Sequence, residues 1–120
     1  MDVLVITPRR AFWEALRPAF DAHEASLRFA STKEEAGDLL KERRADLAVL
    51  DLDVDTAELR KAVVGILSID AMVNMASVCG MGEEKFHSAM EGLGLIMDLP
   101  RTPDAGDVDR LLRALRVILG

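Results

Sequence analysis

The sequence predicts a doubly wound α/β fold, in which helices cover both faces of a parallel sheet of five strands. Short apolar runs recur along the 120 residues, and each is followed by a segment whose apolar residues have helical spacing. Continuous apolar runs are typical of strands buried on both faces. Because such units connect by right-handed crossovers, they give one sheet between two layers of helices, an αβα sandwich. The length predicts one domain over residues 1–120.

The first unit is a buried strand over residues 3–6, followed by a helix that contains a proline. Thr7 and Pro8 suit the start of that helix, since threonine caps helices and proline is tolerated in the first turn. Pro18 lies further in, where an interior proline costs about 3 kcal/mol. We therefore expect a kink or a break near Arg17.

The second unit begins with a weakly alternating segment, residues 26–30, which predicts an edge strand. Thr32 and Glu35 have the spacing of a capping box and predict a helix over residues 33–44.

The last three units repeat the same alternation of strand and helix. Strands are predicted over 47–50, 73–78 and 95–97, with helices over 57–69 and 82–91 and a last helix that residues 102–104 lead into. The final helix carries an apolar stripe that we assign to the core, formed by Val108, Leu111, Leu112, Leu115 and Ile118.

Composition and charge exclude several classes of protein. Half of the residues are hydrophobic and 30% are charged, as in ordinary folded domains. The net charge of −6 would repel a phosphate backbone, so we expect no nucleic-acid partner. No apolar run reaches the roughly 18 residues of a membrane span, and we expect neither a signal peptide nor a membrane partner. The single cysteine, Cys79, excludes an intrachain disulfide and favours a cytoplasmic location.

Three predicted strand regions together resemble the receiver domain of two-component response regulators. Residues 46–51 are similar to the family's third strand, which ends in the aspartate that accepts a phosphoryl group. Residues 73–80 resemble its fourth strand, which ends in a threonine or serine, and residues 92–100 match its glycine-to-proline span. The resemblance covers nearly the whole chain. It implies a flavodoxin-like, CheY-like (βα)5 fold with Asp51 at the phosphoacceptor position and Ser77 at the phosphate-site hydroxyl position.

Four positions depart from the family's pattern. Thr7 and Pro8 stand where the family has the acidic pair that holds Mg²⁺, Leu99 replaces its lysine, and Ile96 replaces its switch aromatic. Mg²⁺ prefers carboxylate oxygens, and phosphoryl transfer depends on positioning and charge neutralisation. We therefore expect no Mg²⁺ binding, no other metal or cofactor, and no cycling of phosphate on Asp51.

The favoured function is a stand-alone receiver-like signalling module, not an enzyme. It would act by protein contact with a sensor kinase or an output protein, independently of phosphorylation. One alternative is a divergent response regulator that is still phosphorylated on Asp51. Another is a small phosphotransferase that uses Asp51 as its nucleophile.

Two further site hypotheses are weaker. Asp51, Asp53 and Asp55 have the opening spacing of a calcium loop, but the later glycine and glutamate of such a loop are missing. Cys79 would act as a nucleophile only with a base nearby, for which His87 is the candidate.

The crowded aspartates after the third strand need a compensating cation, since unpaired buried carboxylates are costly. Arg9, Arg10 and Arg101 are the candidates, and Arg9 is the one we expect to pair with Asp51 or Asp53.

The resembled family commonly binds partners, or dimerises, through the helix after the fourth strand, the fifth strand and the last helix. Homodimerisation through this face is therefore a further hypothesis. An arginine ridge there would steer an acidic partner. The alternative is a solvated face on which Asp107 and Asp109 pair with the arginines. The candidate partner residues are Met81, Met90, Arg110, Arg113 and Arg116.

Overall fold

The computed structural model describes residues 1–120 and contains one parallel sheet between two layers of helices. The strands are β1 (Asp2–Ile6), β2 (Ser26–Ala30), β3 (Leu47–Leu50), β4 (Asn74–Ser77) and β5 (Leu95–Asp98). The helices are α1 (Arg10–Glu14), α2 (Arg17–Asp21), α3 (Lys33–Glu42), α4 (Thr56–Ile69), α5 (Glu83–Met90) and α6 (Ala105–Leu119). All five strands are parallel in the order β2-β1-β3-β4-β5. The predicted doubly wound fold is confirmed.

The central strands divide their side chains between two hydrophobic clusters. Leu4 and Ile6 of β1 pack in a cluster with α3, α4 and α5. Val3 and Val5 point to the opposite face and pack with Trp13, Phe20 and α6. This alternation explains why the apolar runs of β1 and β3 are continuous, because both faces of these strands are covered.

The helix after β1 is broken as the sequence predicts. The amide of Leu16 bonds to the Trp13 carbonyl at 3.0 Å, and that of Ala19 bonds to the Leu16 carbonyl at 2.9 Å. Pro18 falls in the first turn of α2, where its missing N–H costs nothing.

The helix after β2 ends two residues before its predicted end at Arg44. Its N-terminus is capped by Thr32, which accepts from the Glu35 amide at 3.1 Å. At the other end the Arg28 guanidinium donates to the carbonyls of Arg43 and Arg44, at 3.0 and 3.2 Å. These bonds hold the chain extended where the helix would otherwise continue.

The last helix departs from the prediction at one position. Asp104 and Asp107 form a reciprocal capping box at its start, and four residues of the predicted stripe are buried. Ile118, the fifth, is 52% exposed, so its assignment to the core was wrong. It lies in the last turn with the exposed Val117 and Leu119, beyond the residues that pack on the sheet. No helix has the length and apolar character of a membrane span.

Candidate functional site

Asp51 lies directly after β3, at the carboxyl edge of the sheet where ligands bind in this architecture. It is one of the few buried polar residues, with 7% of its surface exposed. Its amide donates to the Ile6 carbonyl at 2.8 Å, which ties the end of β3 to the end of β1. The loop after β1 therefore packs against the Asp51 side chain.

Three side chains from that loop and α1 bind the Asp51 carboxylate. Arg9 donates from Nε to Oδ2 at 2.7 Å and from Nη2 to Oδ1 at 3.0 Å. The Trp13 indole Nε1–H donates to Oδ2 at 2.8 Å, and the Thr7 hydroxyl donates to Oδ2 at 2.7 Å. Arg9 is thus the arginine that pairs with Asp51, and four donated hydrogen bonds surround the carboxylate. We call these residues the Asp51 cluster.

Arg9 is itself held by further contacts. Its Nη2 donates to the Arg101 carbonyl at 2.6 Å, and its guanidinium carbon lies 4.2 Å from the centre of the Phe12 ring. The Thr7 Oγ1 accepts from the Arg9 amide at 3.0 Å while its hydroxyl donates to Asp51. Arg9 therefore connects the loops that follow β1, β3 and β5.

The electrostatics of the pair favour two charged partners. Burial raises the pKa of Asp51, but the hydrogen bonds from Arg9, Trp13 and Thr7 outweigh burial and hold the pKa below its ordinary value. The hydrogen bond to Asp51 raises the pKa of Arg9. Asp51 is therefore an ionised, fully bonded carboxylate at neutral pH.

A second carboxylate, Asp98, holds Ser77. Asp98 ends β5 beside Ser77 in the parallel register. Its Oδ1 accepts from the Ser77 hydroxyl at 2.6 Å and from the Cys79 amide at 2.9 Å, and its Oδ2 accepts from the Met81 amide at 2.7 Å. Sequence reasoning missed this contact. The sequence feature that could have revealed it is Asp98 itself, a single aspartate at the end of the apolar strand β5, which pairs with the strand that contains Ser77.

The other positions of the family pattern carry no polar side chain into this edge. Pro8 is exposed. Leu99 is fully buried in the cluster that contains Trp13, and Ile96 packs against the same cluster. Met90, proposed for the partner face, is only 4% exposed and belongs to the core under α5, so that assignment was wrong. Met81 is half-buried.

The remaining arginine candidates do not pair with the Asp51 carboxylate. Arg10 stacks on Phe29, with its guanidinium carbon 4.7 Å from the ring centre. Arg101 contributes its carbonyl to Arg9 and lines, with Asp51 and Asp53, a cleft of about 320 Å³. Neither arginine forms an ion pair with these aspartates.

The calcium-loop and cysteine hypotheses find no supporting geometry. Asp53 is exposed, and Asp55 caps α4 by accepting from the Glu58 amide at 2.9 Å. No group of three or more histidine, cysteine or acidic side chains is arranged to hold a metal. Burial, and then the nearby Asp98 carboxylate, raise the pKa of Cys79, which makes the thiol a poor nucleophile. His87 is exposed and lies near Glu83 instead, 3.7 Å away.

The arginine ridge of α6 is exposed and internally paired. Arg110 contacts Asp107 at 3.1 Å and Arg113 contacts Asp109 at 2.9 Å, as the solvated-face alternative predicts. Arg116 donates to the His23 carbonyl at 3.0 Å. The Arg110 and Arg113 side chains stay 60% and 74% exposed, so the ridge also keeps its positive surface.

The fold is shared with solved receiver domains. A two-component response regulator from Clostridium difficile matches with a TM-score of 0.81 at 13% identity, over 100% of this chain and 98% of that one. Another from Legionella pneumophila matches with a TM-score of 0.76 at 16% identity, over 98% of each chain. This chain has the receiver fold. No family model and no curated protein matches the sequence.

One receiver-fold neighbour contains a metal ion. The receiver domain of a sensor histidine kinase from Pseudomonas aeruginosa has a magnesium ion coordinated in its active-site cleft. It matches with a TM-score of 0.71 at 12% identity, over 96% of this chain and 97% of that one. In this chain, the charged group bound to Asp51 is the Arg9 guanidinium.

Proposed function

We propose that the chain is a receiver-like signalling module that acts by protein–protein contact, with the Arg9–Asp51 ion pair in place of a phosphorylation switch. The observation that carries the proposal is the state of the Asp51 carboxylate. Oδ2 accepts three hydrogen bonds and Oδ1 accepts one, all from groups of the same chain.

Phosphorylation would require an Asp51 oxygen to attack phosphorus while the donor's leaving group departs with the bonding electrons. A carboxylate with a depressed pKa and four bound donors is a weak nucleophile. The attack would also require Arg9 to give up a two-point contact, which is among the stronger kinds of hydrogen bonding in proteins.

The residues around Asp51 do not fit a magnesium ion. Mg²⁺ needs six oxygen ligands in near-octahedral geometry, several of them waters held by carboxylates. The neighbours of Asp51 are instead a guanidinium, an indole N–H and a hydroxyl that already donates to it. Pro8 has no side-chain ligand to offer. A cation from the chain itself, the Arg9 guanidinium, balances the Asp51 carboxylate.

The test is intact-mass measurement after incubation with acetyl phosphate and Mg²⁺. We expect no phosphoryl adduct under conditions that load a metal-binding receiver domain assayed in parallel. A stoichiometric adduct that disappears in Asp51→Asn would overturn the proposal in favour of a phosphorylated response regulator. Turnover of an aryl phosphate that also disappears in that variant would favour the phosphotransferase.

For the contact itself, we propose the surface of α5, β5 and α6, with the α6 ridge steering an acidic partner or a second copy of the chain. The double variant Arg113→Glu, Arg116→Glu tests this surface by sedimentation equilibrium. Arg43→Glu, Arg44→Glu is the matched control, since both arginines form exposed ion pairs elsewhere. If self-association is lost in Arg113→Glu, Arg116→Glu and kept in the control variant, the proposed contact surface is supported. A monomeric wild type, or equal association of both variants, excludes a homodimer there.

A further inference from the structure

The turn between β4 and α5 is held by a carboxylate that does not belong to it. Ser77, Cys79 and Met81 each donate one hydrogen bond to Asp98, at 2.6, 2.9 and 2.7 Å. Ser77 is completely buried, so its hydroxyl has no access to water. Hydrogen bonds to an ionised acceptor are about twice as strong as neutral ones. One side chain of β5 thus fixes the start, middle and end of the turn.

The turn has little else of its own to hold it. Gly80 and Gly82 both have positive φ, at 61° and 83°, and Gly82 caps α5 without a side-chain hydrogen bond. Two backbone hydrogen bonds join the turn to Leu99. The Gly80 amide donates to the Leu99 carbonyl at 3.0 Å, and the Leu99 amide donates to the Ser77 carbonyl at 2.8 Å. Glycine restricts the backbone least, and the side-chain hydrogen bonds of residues 77–82 are the three to Asp98.

We propose that Asp98 is a built-in anchor that keeps Ser77 and the turn of residues 77–82 in one conformation, whatever the state of Asp51. The surface beside α5 would then be permanently formed. That surface includes a groove of about 490 Å³ lined by the turn, by Phe86, by Asp98 and by Arg110. The inference deepens the proposed function, on which it rests, because a module without a phosphorylation switch needs its contact surface ready-made.

The two carboxylates are separate in their hydrogen bonding. The donors of Asp51 come from the β1 side of the edge and those of Asp98 from the β4–α5 turn, with no donor in common. Each carboxylate can therefore be followed through the N–H groups that bind it alone. Trp13 is the single tryptophan, and its indole N–H binds Asp51. The amides of Cys79 and Met81 bind Asp98.

The experiment is amide hydrogen exchange, followed by NMR, on the full chain and on Asp98→Asn. The asparagine keeps the shape but must turn an NH₂ group toward at least one of the donors. We expect exchange at Cys79 and Met81 to accelerate by about tenfold or more beyond any change in global stability. The Trp13 indole resonance stays in place. Asp53→Asn is the matched control, since that exposed carboxylate accepts no hydrogen bond, and it leaves both sets of N–H groups unchanged.

The reciprocal variant completes the test. Asp51→Asn shifts the Trp13 indole resonance and leaves the Cys79 and Met81 amides as slow as in the wild type. The anchor is refuted if Asp98→Asn leaves these amides within about twofold of wild type, or if Asp51→Asn accelerates them as much as Asp98→Asn does. Should Asp98→Asn fail to fold, Ser77→Ala removes one donor only and must accelerate the same amides by a smaller factor.

The outcome is distinguishable from that of the phosphorylation test. A phosphoryl adduct on Asp51 would refute the proposed function, yet unchanged slow exchange at Cys79 and Met81 in the phosphorylated protein would leave the anchor standing. Accelerated exchange after phosphorylation would refute both.

Discussion

Arg9 and Asp51 form a two-point ion pair, with Nε 2.7 Å from Oδ2 and Nη2 3.0 Å from Oδ1, at the carboxyl edge of the sheet. The Asp51 side chain is 9% exposed, whereas that of Arg9 is 37% exposed. A buried carboxylate without a cation would be protonated or would destabilise the fold. Arg9 thus supplies the charge that Asp51 needs, and Thr7 orients both, because its oxygen bonds the Arg9 amide and the Asp51 carboxylate.

Removal of the Arg9 side chain should therefore destabilise the protein. We expect Arg9→Ala to lower the free energy of unfolding by about 2 kcal/mol, since the guanidinium is partly exposed and water screens some of its charge. Urea denaturation followed by Trp13 fluorescence measures this loss. Arg9→Lys keeps the charge but loses the two-point geometry, and should fall between the wild type and Arg9→Ala.

Arg10→Ala is the control for removing a neighbouring arginine. Arg10 is exposed and contacts the Phe29 ring but no carboxylate of the site. Its loss should cost less than about 1 kcal/mol. Equal losses in the two alanine variants would mean that the Arg9–Asp51 pair adds nothing specific to stability.

The stability contributed by Asp51 should depend on pH with a defined sign. Because the folded pKa of Asp51 lies below its ordinary value of 3.8, the ionised form stabilises the fold above that value. This contribution is lost as the pH falls through the folded pKa. Arg9→Ala removes the hydrogen bonds and the positive charge of Arg9, both of which lower the pKa of Asp51. The folded pKa of Asp51 therefore lies closer to its ordinary value in the variant, which loses less stability on acidification than the wild type does. The stability gap between wild type and Arg9→Ala should therefore be widest near neutral pH and narrow below about pH 4.

Urea titrations of both proteins between about pH 3 and 7 measure this gap. Other carboxylates with depressed pKa values, such as Asp70 and Asp109, are common to both proteins and cancel in the difference. A gap that is constant with pH, or that widens in acid, would contradict the assigned role of Arg9.

The fold was predictable because each strand is specified by the pattern of apolar and polar residues within its own segment. β2 and β3 begin and end at the residues that the sequence predicts, since each is a short apolar or alternating run between polar residues. The early end of α3 was not predictable, because it depends on Arg28 of the neighbouring strand reaching its last carbonyls.

The Asp51 cluster was predictable only in part. The crowded aspartates required a cation, and Arg9 was the nearest candidate. The indole bond from Trp13 joins residues that are 38 positions apart in the sequence, and no local pattern specifies it. Asp98 could be found only from strand register, because its partner Ser77 is 21 residues away in sequence.

The position of Pro18 predicts that its replacement by alanine changes the stability of the protein very little. A proline inside a continuous helix would cost about 3 kcal/mol, so its removal should then stabilise. Pro18 instead occupies the first turn of α2, where no intrahelical N–H is missing. Pro18→Ala should therefore change the free energy of unfolding by less than about 1 kcal/mol. Ala19→Pro, which removes the bond from the Ala19 amide to the Leu16 carbonyl, is the contrasting variant and should cost about 3 kcal/mol. A large gain for Pro18→Ala would show that the break is strained.

Two glycines in neighbouring helices should respond differently to replacement by alanine. Gly65 is exposed inside α4, and a Cβ placed on it meets nothing within 4 Å. Gly65→Ala should therefore raise the free energy of unfolding by about 0.5–1 kcal/mol, the difference in helix propensity.

Gly37 is the matched position in α3, where a Cβ would lie 2.9 Å from the Cδ1 atom of Ile69. The same gain in propensity is offset there by displacement of that methyl group, so Gly37→Ala should be close to neutral. Chemical denaturation of both variants measures the contrast. Ile69→Val removes the Cδ1 atom, and in that background Gly37→Ala should regain the full propensity gain. If Gly37→Ala stabilises the wild type as much as Gly65→Ala does, the close packing of α3 on α4 at this point is wrong.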